Sequence, residues 1–343
     1  MAIKVLIVDD SPVVREVLSR ELGKDSGLQV VGTAHDALIA SDKIEKLNPD
    51  VLTLDIGMPR MDGLTFLRGL MKHHPMPVVV VSALTAKGSR LAMDALDLGA
   101  VDIVQKPGEA FGVSEMAGEL IAKIKAAGEA RVRTEAPPPA PAPVRVKPAA
   151  GAVGPASSKI VAIGASTGGT QALQFVLTHL PANIPATLIV QHMPAGFTRA
   201  FADRLNGLCP FEVKEAEDGD AVLPGRVLIA PGNLHMLLAR QGSRYVAQVK
   251  DGPKVSRQRP AVEVLFQSVA REAGAQAVGV ILTGMGGDGA EGMLEMKKHG
   301  ARTVAQDEQS CVVFGMPREA IRLGGVDQIL PLDKIPDTIM ALA

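Results

Sequence analysis

Short, nearly uninterrupted apolar runs alternate along the chain with longer stretches in which apolar positions recur every three or four residues. In the first third these runs are "KVLIV" (4–8), "LQVVGTA" (28–34), "DVLTL" (50–54), "PVVVV" (77–81) and "VDIV" (101–104). Runs this short, with few polar interruptions, predict strands buried on both faces, and the amphipathic stretches between them predict the crossover helices of a parallel sheet. Five strands and five helices are expected. The pattern returns after residue 158 with "KIVAIGAS", "ATLIVQH", "RVLIAPG" and "AVGVILTG", which predict a second, larger doubly wound α/β unit.

Between the two patterns the periodicity stops. The stretch "TEAPPPAPAPVRVKPAAGAVGPASS" is rich in Pro and Ala and reads as a semi-extended linker. The expected division is therefore a domain at 1–126, a linker at 127–158 and a second domain at 159–343, in keeping with a length of 343 residues. Through Ser158 the chain carries 18 basic and 19 acidic residues, and from Lys159 onward 18 and 18, so neither half is a basic module and no nucleic-acid partner is expected. Cys209 and Cys311 stand far apart and outside any metal-binding spacing, which fits packing roles in a reducing compartment. The first apolar run ends in Asp9 and Asp10, too short for a signal peptide or for the roughly 20 residues that span a bilayer. A cytoplasmic chain without membrane insertion is expected.

In a parallel sheet the loops at the strand carboxyl ends form the binding crevice, and in the first domain those ends carry Asp9, Asp10, Asp55, Ser82 and Lys106. Unit charges about 4 Å apart repel by roughly 4 kcal/mol at an effective dielectric of 20, so three converging carboxylates ask for a cation. Hard oxygen ligands point to Mg²⁺. Asp55 could then attack phosphorus, with Ser82 and Lys106 positioned to meet the phosphoryl oxygens; the alternative is that these Asp residues merely cap helices. In "LIVDDS", "LTLDIGMPRMDG", "VVVVSALT" and "VQKP" the domain resembles the receiver domains of two-component response regulators. That resemblance implies Asp55 as phosphoacceptor, Asp9 and Asp10 as metal-side carboxylates, the Gly57 carbonyl as a further Mg²⁺ ligand, and Ser82 and Lys106 as the phosphate-sensing pair. Gly57 replaces a bulkier residue more usual in such domains, and Ile103 stands where many carry a switching aromatic.

In the second domain "GASTGG" (164–169) follows an apolar run and precedes a helical pattern. Read as G-x-S-x-G it is a nucleophile elbow that would lift Ser166 into the crevice; read otherwise it is a dinucleotide-binding turn or a bare helix start. A base and an orienting acid are available at other strand ends: His192 closes "ATLIVQH", and Asp288 lies in "LTGMGGDG". Amides of the latter loop, Met285 first among them, could bind an oxyanion. The order of ordinary α/β-hydrolases would instead select Asp220 and His235. Three classes stay open on these residues: a phosphorylation-controlled esterase, a regulator whose output domain only binds, and a nucleotide-dependent α/β enzyme.

"GASTGG", "VQHMPAGFT", "PGRVLIAPGNLHM" and "LTGMGGDGA" together resemble the catalytic domain of the chemotaxis methylesterase family, also called protein-glutamate methylesterase and protein-glutamine glutaminase. The resemblance implies a triad of Ser166, His192 and Asp288 acting on glutamate methyl esters in the cytoplasmic helical region of chemoreceptors, with glutamate and methanol as products. It also implies hydrolysis of particular receptor glutamine amides and phosphorylation by a chemotaxis histidine kinase. No cofactor is expected for the hydrolysis itself.

Overall fold

The computed structural model describes residues 2–58, 62–83, 85–106, 113–130 and 159–343. The linker expected over 127–158 lies, from 131 onward, outside the described residues. The chain divides into two compact units, 1–136 and 137–343.

The first unit runs β1 (Ile3–Val8), α1 (Pro12–Leu22), β2 (Leu28–Ala34), α2 (Ala37–Leu47), β3 (Val51–Asp55), α3 (Gly63–His73), β4 (Val78–Ser82), α4 (Ala86–Asp97), β5 (Asp102–Gln105) and α5 (Val113–Glu129). The strands form one parallel sheet in the order β2-β1-β3-β4-β5. Every residue of β3 and β4 is buried, which is why their sequences read as continuous apolar runs rather than as alternation. Helix starts follow from short polar side chains: Ser11, Asp36, Asp62 and Thr85 each accept a hydrogen bond from an amide three residues on. The domain end expected at 126 lies within α5, where Ala126 and Ala127 are fully buried.

The second unit runs β6 (Ile160–Ala165), α6 (Gly169–Thr178), β7 (Ala186–Gln191), α7 (Phe197–Leu208), β8 (Glu212–Glu215), β9 (Arg226–Ile229), β10 (His235–Gln241), β11 (Arg244–Lys250), α8 (Val262–Ala273), β12 (Ala277–Ile281), α9 (Ala290–Lys298), β13 (Arg302–Gln306), α10 (Met316–Arg322), β14 (Gln328–Leu330) and α11 (Ile335–Leu342). Seven strands form a parallel sheet in the order β14-β13-β12-β6-β7-β9-β8, while β10 and β11 make a separate antiparallel hairpin. Chain order reverses at β6, whose neighbours are β7 on one side and β12 on the other. The crevice beyond the carboxyl ends of these three strands is the topological switch point of the sheet. The helices here begin differently from those of the first unit: α6, α7 and α9 open at Gly168, Gly196 and Gly289, all at positive φ and without a side-chain cap. Amides of their first turns are thereby left for other partners.

Candidate functional site

Strand register brings the serine and the histidine side by side. Ala165 pairs with Gln191, and the next residues continue the ladder, with the His192 amide donating to the Ala165 carbonyl at 3.1 Å. On the other side of β6 the Ser166 amide donates to Thr283 O at 3.0 Å, which ties it to the loop after β12. Ser166 has 9 % of its surface exposed. The left-handed residue of this turn is Gly168 (φ 77°), and a Cβ there would lie 2.5 Å from Cβ of Val312. Ser166 itself has no positive φ, so the motif matches the hydrolase elbow in letters and in its sharp turn, while the unusual backbone sits two residues later.

His192 Nε2 lies 2.7 Å from Asp288 Oδ2, and both side chains are almost wholly buried. With the carboxylate accepting the Nε2 proton, the lone pair belongs to Nδ1, the reverse of the arrangement in which Nδ1–H faces the acid. Nδ1 is buried and has no hydrogen-bond partner; the Ser166 hydroxyl does not bond it in this structure. Asp288 is fixed in turn by the start of α8: Val262 N donates to Oδ2 at 2.7 Å and Glu263 N to Oδ1 at 3.1 Å. In the same loop Gly284 is pinned through both backbone groups, donating to Val313 O and accepting from Gly315 N and Met316 N. A Cβ on Gly284 would approach Cβ of Ser166 to 2.7 Å, which is why no larger residue fits between the loop and the serine. The following residue, Met285, is partly exposed, and its amide finds no acceptor among the described residues.

The competing pair is not brought together. His235 spends both ring nitrogens on the backbone, Nε2 on Pro253 O at 2.9 Å and Nδ1 on Ala261 N at 3.3 Å. Asp220 is taken by Lys214 Nζ and by the Glu217 amide.

Several supporting residues have no role assigned from the sequence, although Gln191 and Thr283 lie within the quoted motifs. Gln191 Nε2 donates to Ser166 O at 2.9 Å, Thr283 Oγ1 donates to Thr167 O at 3.0 Å, and Gln306 Oε1 accepts from Thr283 N at 2.8 Å. Polar residues at the ends of otherwise apolar strands are the signal that marks the first and last of these. Both cysteines are buried, and burial pushes the Cys209 thiol up to about 12.

In the first unit the sheet likewise gathers the sequence-predicted set. Ligand oxygens of Asp9, Asp10 and Asp55 all lie within 4.8 Å of one another. Asp55 and Ser82 are the last residues of β3 and β4, and Lys106 follows β5, so all face one crevice of about 740 Å³ together with Gly57. Lys106 Nζ donates to Asp55 Oδ2 at 2.7 Å and lies 2.8 Å from Asp9 Oδ2. The second contact is an ion pair, and buried Asp9 Oδ2 has no partner in hydrogen-bond geometry. Shifts of the two partners do not mirror each other. Burial dominates for Asp9 and, with the Asp55 charge, raises its carboxyl above the usual range despite Lys106. Burial would lower Lys106, but its contacts with two carboxylates outweigh that and leave the ammonium above its ordinary value. A hard cation fits this donor set: clustered carboxylate oxygens, one of them buried with a lone pair unused. Ile103 is buried in β5. Among the described residues no helix is long and apolar enough to cross a membrane.

Comparison with known proteins covers both units. Residues 161–339 match the CheB methylesterase family model, and residues 5–116 match that of the response regulator receiver domain. Protein-glutamate methylesterase/protein-glutamine glutaminase 2 of Syntrophus aciditrophicus is 55 % identical over 345 residues, covering 99 % of each chain. The enzyme of the same name from Salmonella typhimurium is 53 % identical over 341 residues, covering 99 % of this chain and 96 % of that one. The crystal structure of the Thermotoga maritima CheB methylesterase catalytic domain superposes with a TM-score of 0.53 at 42 % identity, over 54 % of this chain and 98 % of that domain. The chain belongs to the CheB methylesterase family, with a response regulator receiver domain preceding the catalytic domain.

Proposed function

We propose that this chain is a phosphorylation-controlled serine hydrolase that demethylates glutamate methyl esters of chemoreceptors, releasing methanol, and that deamidates receptor glutamines by the same acyl transfer. The observation that carries the reading is the His192–Asp288 pair at the switch point, with a buried, unpartnered Nδ1 beside the Ser166 strand end.

Ser166 Oγ attacks the ester carbonyl as its proton passes to Nδ1 of His192, and Asp288 stabilises the resulting imidazolium through Nε2. The free Met285 amide is suited to the oxyanion of the tetrahedral intermediate. On its collapse the C–O bond to methoxide breaks, and Nδ1 returns the proton to give methanol. Water then enters by the same route: Nδ1 removes its proton, the hydroxide oxygen attacks the acyl carbon, and Ser166 Oγ leaves with that proton, freeing the glutamate. With a glutamine side chain the leaving group is ammonia.

Control resides in the receiver. Asp9, Asp10, Asp55 and the Gly57 carbonyl would hold Mg²⁺, which supplies positive charge against the incoming phosphoryl oxygens. An Asp55 carboxylate oxygen attacks phosphorus of a phosphohistidine on the kinase, the P–N bond breaks, and the imidazole departs. Ser82 and Lys106 then bond the new phosphoryl oxygens. The decisive assay is methanol release from methylated receptor membranes by the full chain, with and without a small phosphodonor and Mg²⁺. Release that rises with the phosphodonor is expected; no release under either condition would refute the reading.

A further inference from the structure

An orienting carboxylate works only if it is itself held still. Asp288 stands just ahead of α9, and neither α8 nor α9 has a side-chain cap of its own, the cap positions being Ala261 and Gly289. Each helix is capped by a carboxylate of the other. Asp288 accepts from Val262 N and Glu263 N at the start of α8, and Glu263, in the first turn of α8, accepts from Gly292 N in the first turn of α9 at 2.9 Å. The second oxygen of Glu263 accepts from Gln267 Nε2 at 2.7 Å. Gly292 makes the approach possible, since a Cβ there would meet Cβ of Phe266 at 2.6 Å.

We propose that Glu263 is a positioning residue for catalysis: it closes a reciprocal clamp between α8 and α9 that fixes Asp288 against His192, and its charge supports the imidazolium. The inference rests on the reading of His192 and Asp288 as base and orienting acid. A cap alone would not call for this arrangement, because Glu263 is buried and no cation among the described residues pairs with it. It faces Asp288 from the loop before α9, Glu291 from α9 and neutral Gln267 from its own helix, with His192 beyond Asp288. Burial, and after it the charges of Asp288 and Glu291, hold its carboxyl above the usual range. Both of its oxygens nonetheless accept hydrogen bonds, which suits the ionised form. A second carboxylate behind Asp288 favours the positive ring formed when Ser166 is deprotonated.

The test uses the full-length chain and p-nitrophenyl acetate, with kcat and KM followed from pH 5 to 8 for the wild type, Glu263→Gln and Glu263→Ala. Glu263→Gln is expected to lower the acid limb of kcat/KM by about half a pH unit and to reduce kcat several-fold at unchanged KM. Glu263→Ala should lose more, so that the conservative variant rescues in part. Gln267→Ala, which loosens the carboxylate without removing its charge, should lower kcat and leave the limb in place; it stands in if the Glu263 variants fail to fold. Wild-type kcat and an unmoved limb in the folded variants would overturn the proposal, whatever their melting temperatures. Absence of hydrolysis by the wild type would instead overturn the serine-hydrolase reading beneath it.

Discussion

Replacing Asp288 by Asn tests the catalytic geometry most directly, because the carboxylate accepts from three N–H groups and an amide offers one acceptor oxygen. Oδ2 serves His192 and Val262, and Oδ1 serves Glu263. If the Asn oxygen takes the Oδ1 place, its NH₂ faces Val262 N–H and the His192 ring, and the ring proton must move to Nδ1, which abolishes the lone pair proposed as the base. If the oxygen takes the Oδ2 place, the tautomer survives, but NH₂ confronts the Glu263 amide and the imidazolium loses its counter-charge. Either way one buried amide of α8 meets a donor, at a cost of about 1–3 kcal/mol in stability. The rate should fall by about 10²-fold for loss of the charge and about 10⁴-fold for the tautomer change, or about 2.7 and 5.4 kcal/mol of transition-state stabilisation. Ester hydrolysis by purified full-length protein would be compared with the wild type, alongside a thermal melt followed by circular dichroism. A folded variant retaining more than a tenth of wild-type kcat would show that Asp288 does not orient the base.

Ser166→Ala removes the nucleophile and is expected to lower kcat by about 10⁶ with the fold unchanged, measured as methanol release; substantial residual turnover would place the nucleophile elsewhere. His235→Ala should cost about 2–3 kcal/mol in stability, since its ring bridges Pro253 and Ala261, while kcat stays within about tenfold of the wild type. A loss as large as that of Ser166→Ala would transfer the base to His235. Asp55→Ala should take up no phosphoryl group from a small donor with Mg²⁺ yet keep basal esterase activity, and radiolabel on that variant would refute the assignment. Glu263 also predicts a pH signature. The unfolded carboxyl ionises near 4.5 and the buried one only at higher pH, so the folded state binds more protons in between. Stability of the wild type relative to Glu263→Gln should fall as pH rises from 4.5 through that interval, and a pH-independent difference in denaturation midpoints would contradict it.

The central strands, and the placement of Ser166, His192 and Asp288 at one crevice, were legible because burial on both faces leaves unbroken apolar runs, and polar residues closing such runs mark the crevice edge. Ser166, His192 and Asp288 all follow neighbouring strands of that kind. The edge strands of the second sheet gave no such signal: β8 reads "EVKE", and β14 has only three residues, two of them exposed. The β10–β11 hairpin carries only its turn at Gly242 as a signal, since "HMLLARQ" and "RYVAQVK" do not alternate cleanly between apolar and polar residues. The partners of Glu263, Thr283 and Gln306 could not be found from spacing, although Gln306 itself closes an apolar strand. Their hydrogen bonds to Gly292, to Thr167 and Val313, and to Thr283 join segments that meet only after folding. The unusual orientation of the His192 ring is likewise set by where Asp288 arrives, not by the histidine's neighbours in the chain.

Lys106 touches both Asp9 and Asp55, and this makes it more than a future phosphate contact. It already ties the two carboxylates together. Its ammonium pairs with two carboxylates, and in the proposed phosphorylation it would give up part of that grip to reach a phosphoryl oxygen. Phosphorylation at the end of β3, as proposed, would therefore change the charge balance at the end of β5. A chemical event at Asp55, as proposed, would thereby be felt at the residue that follows β5, on the far side of β4 from β3.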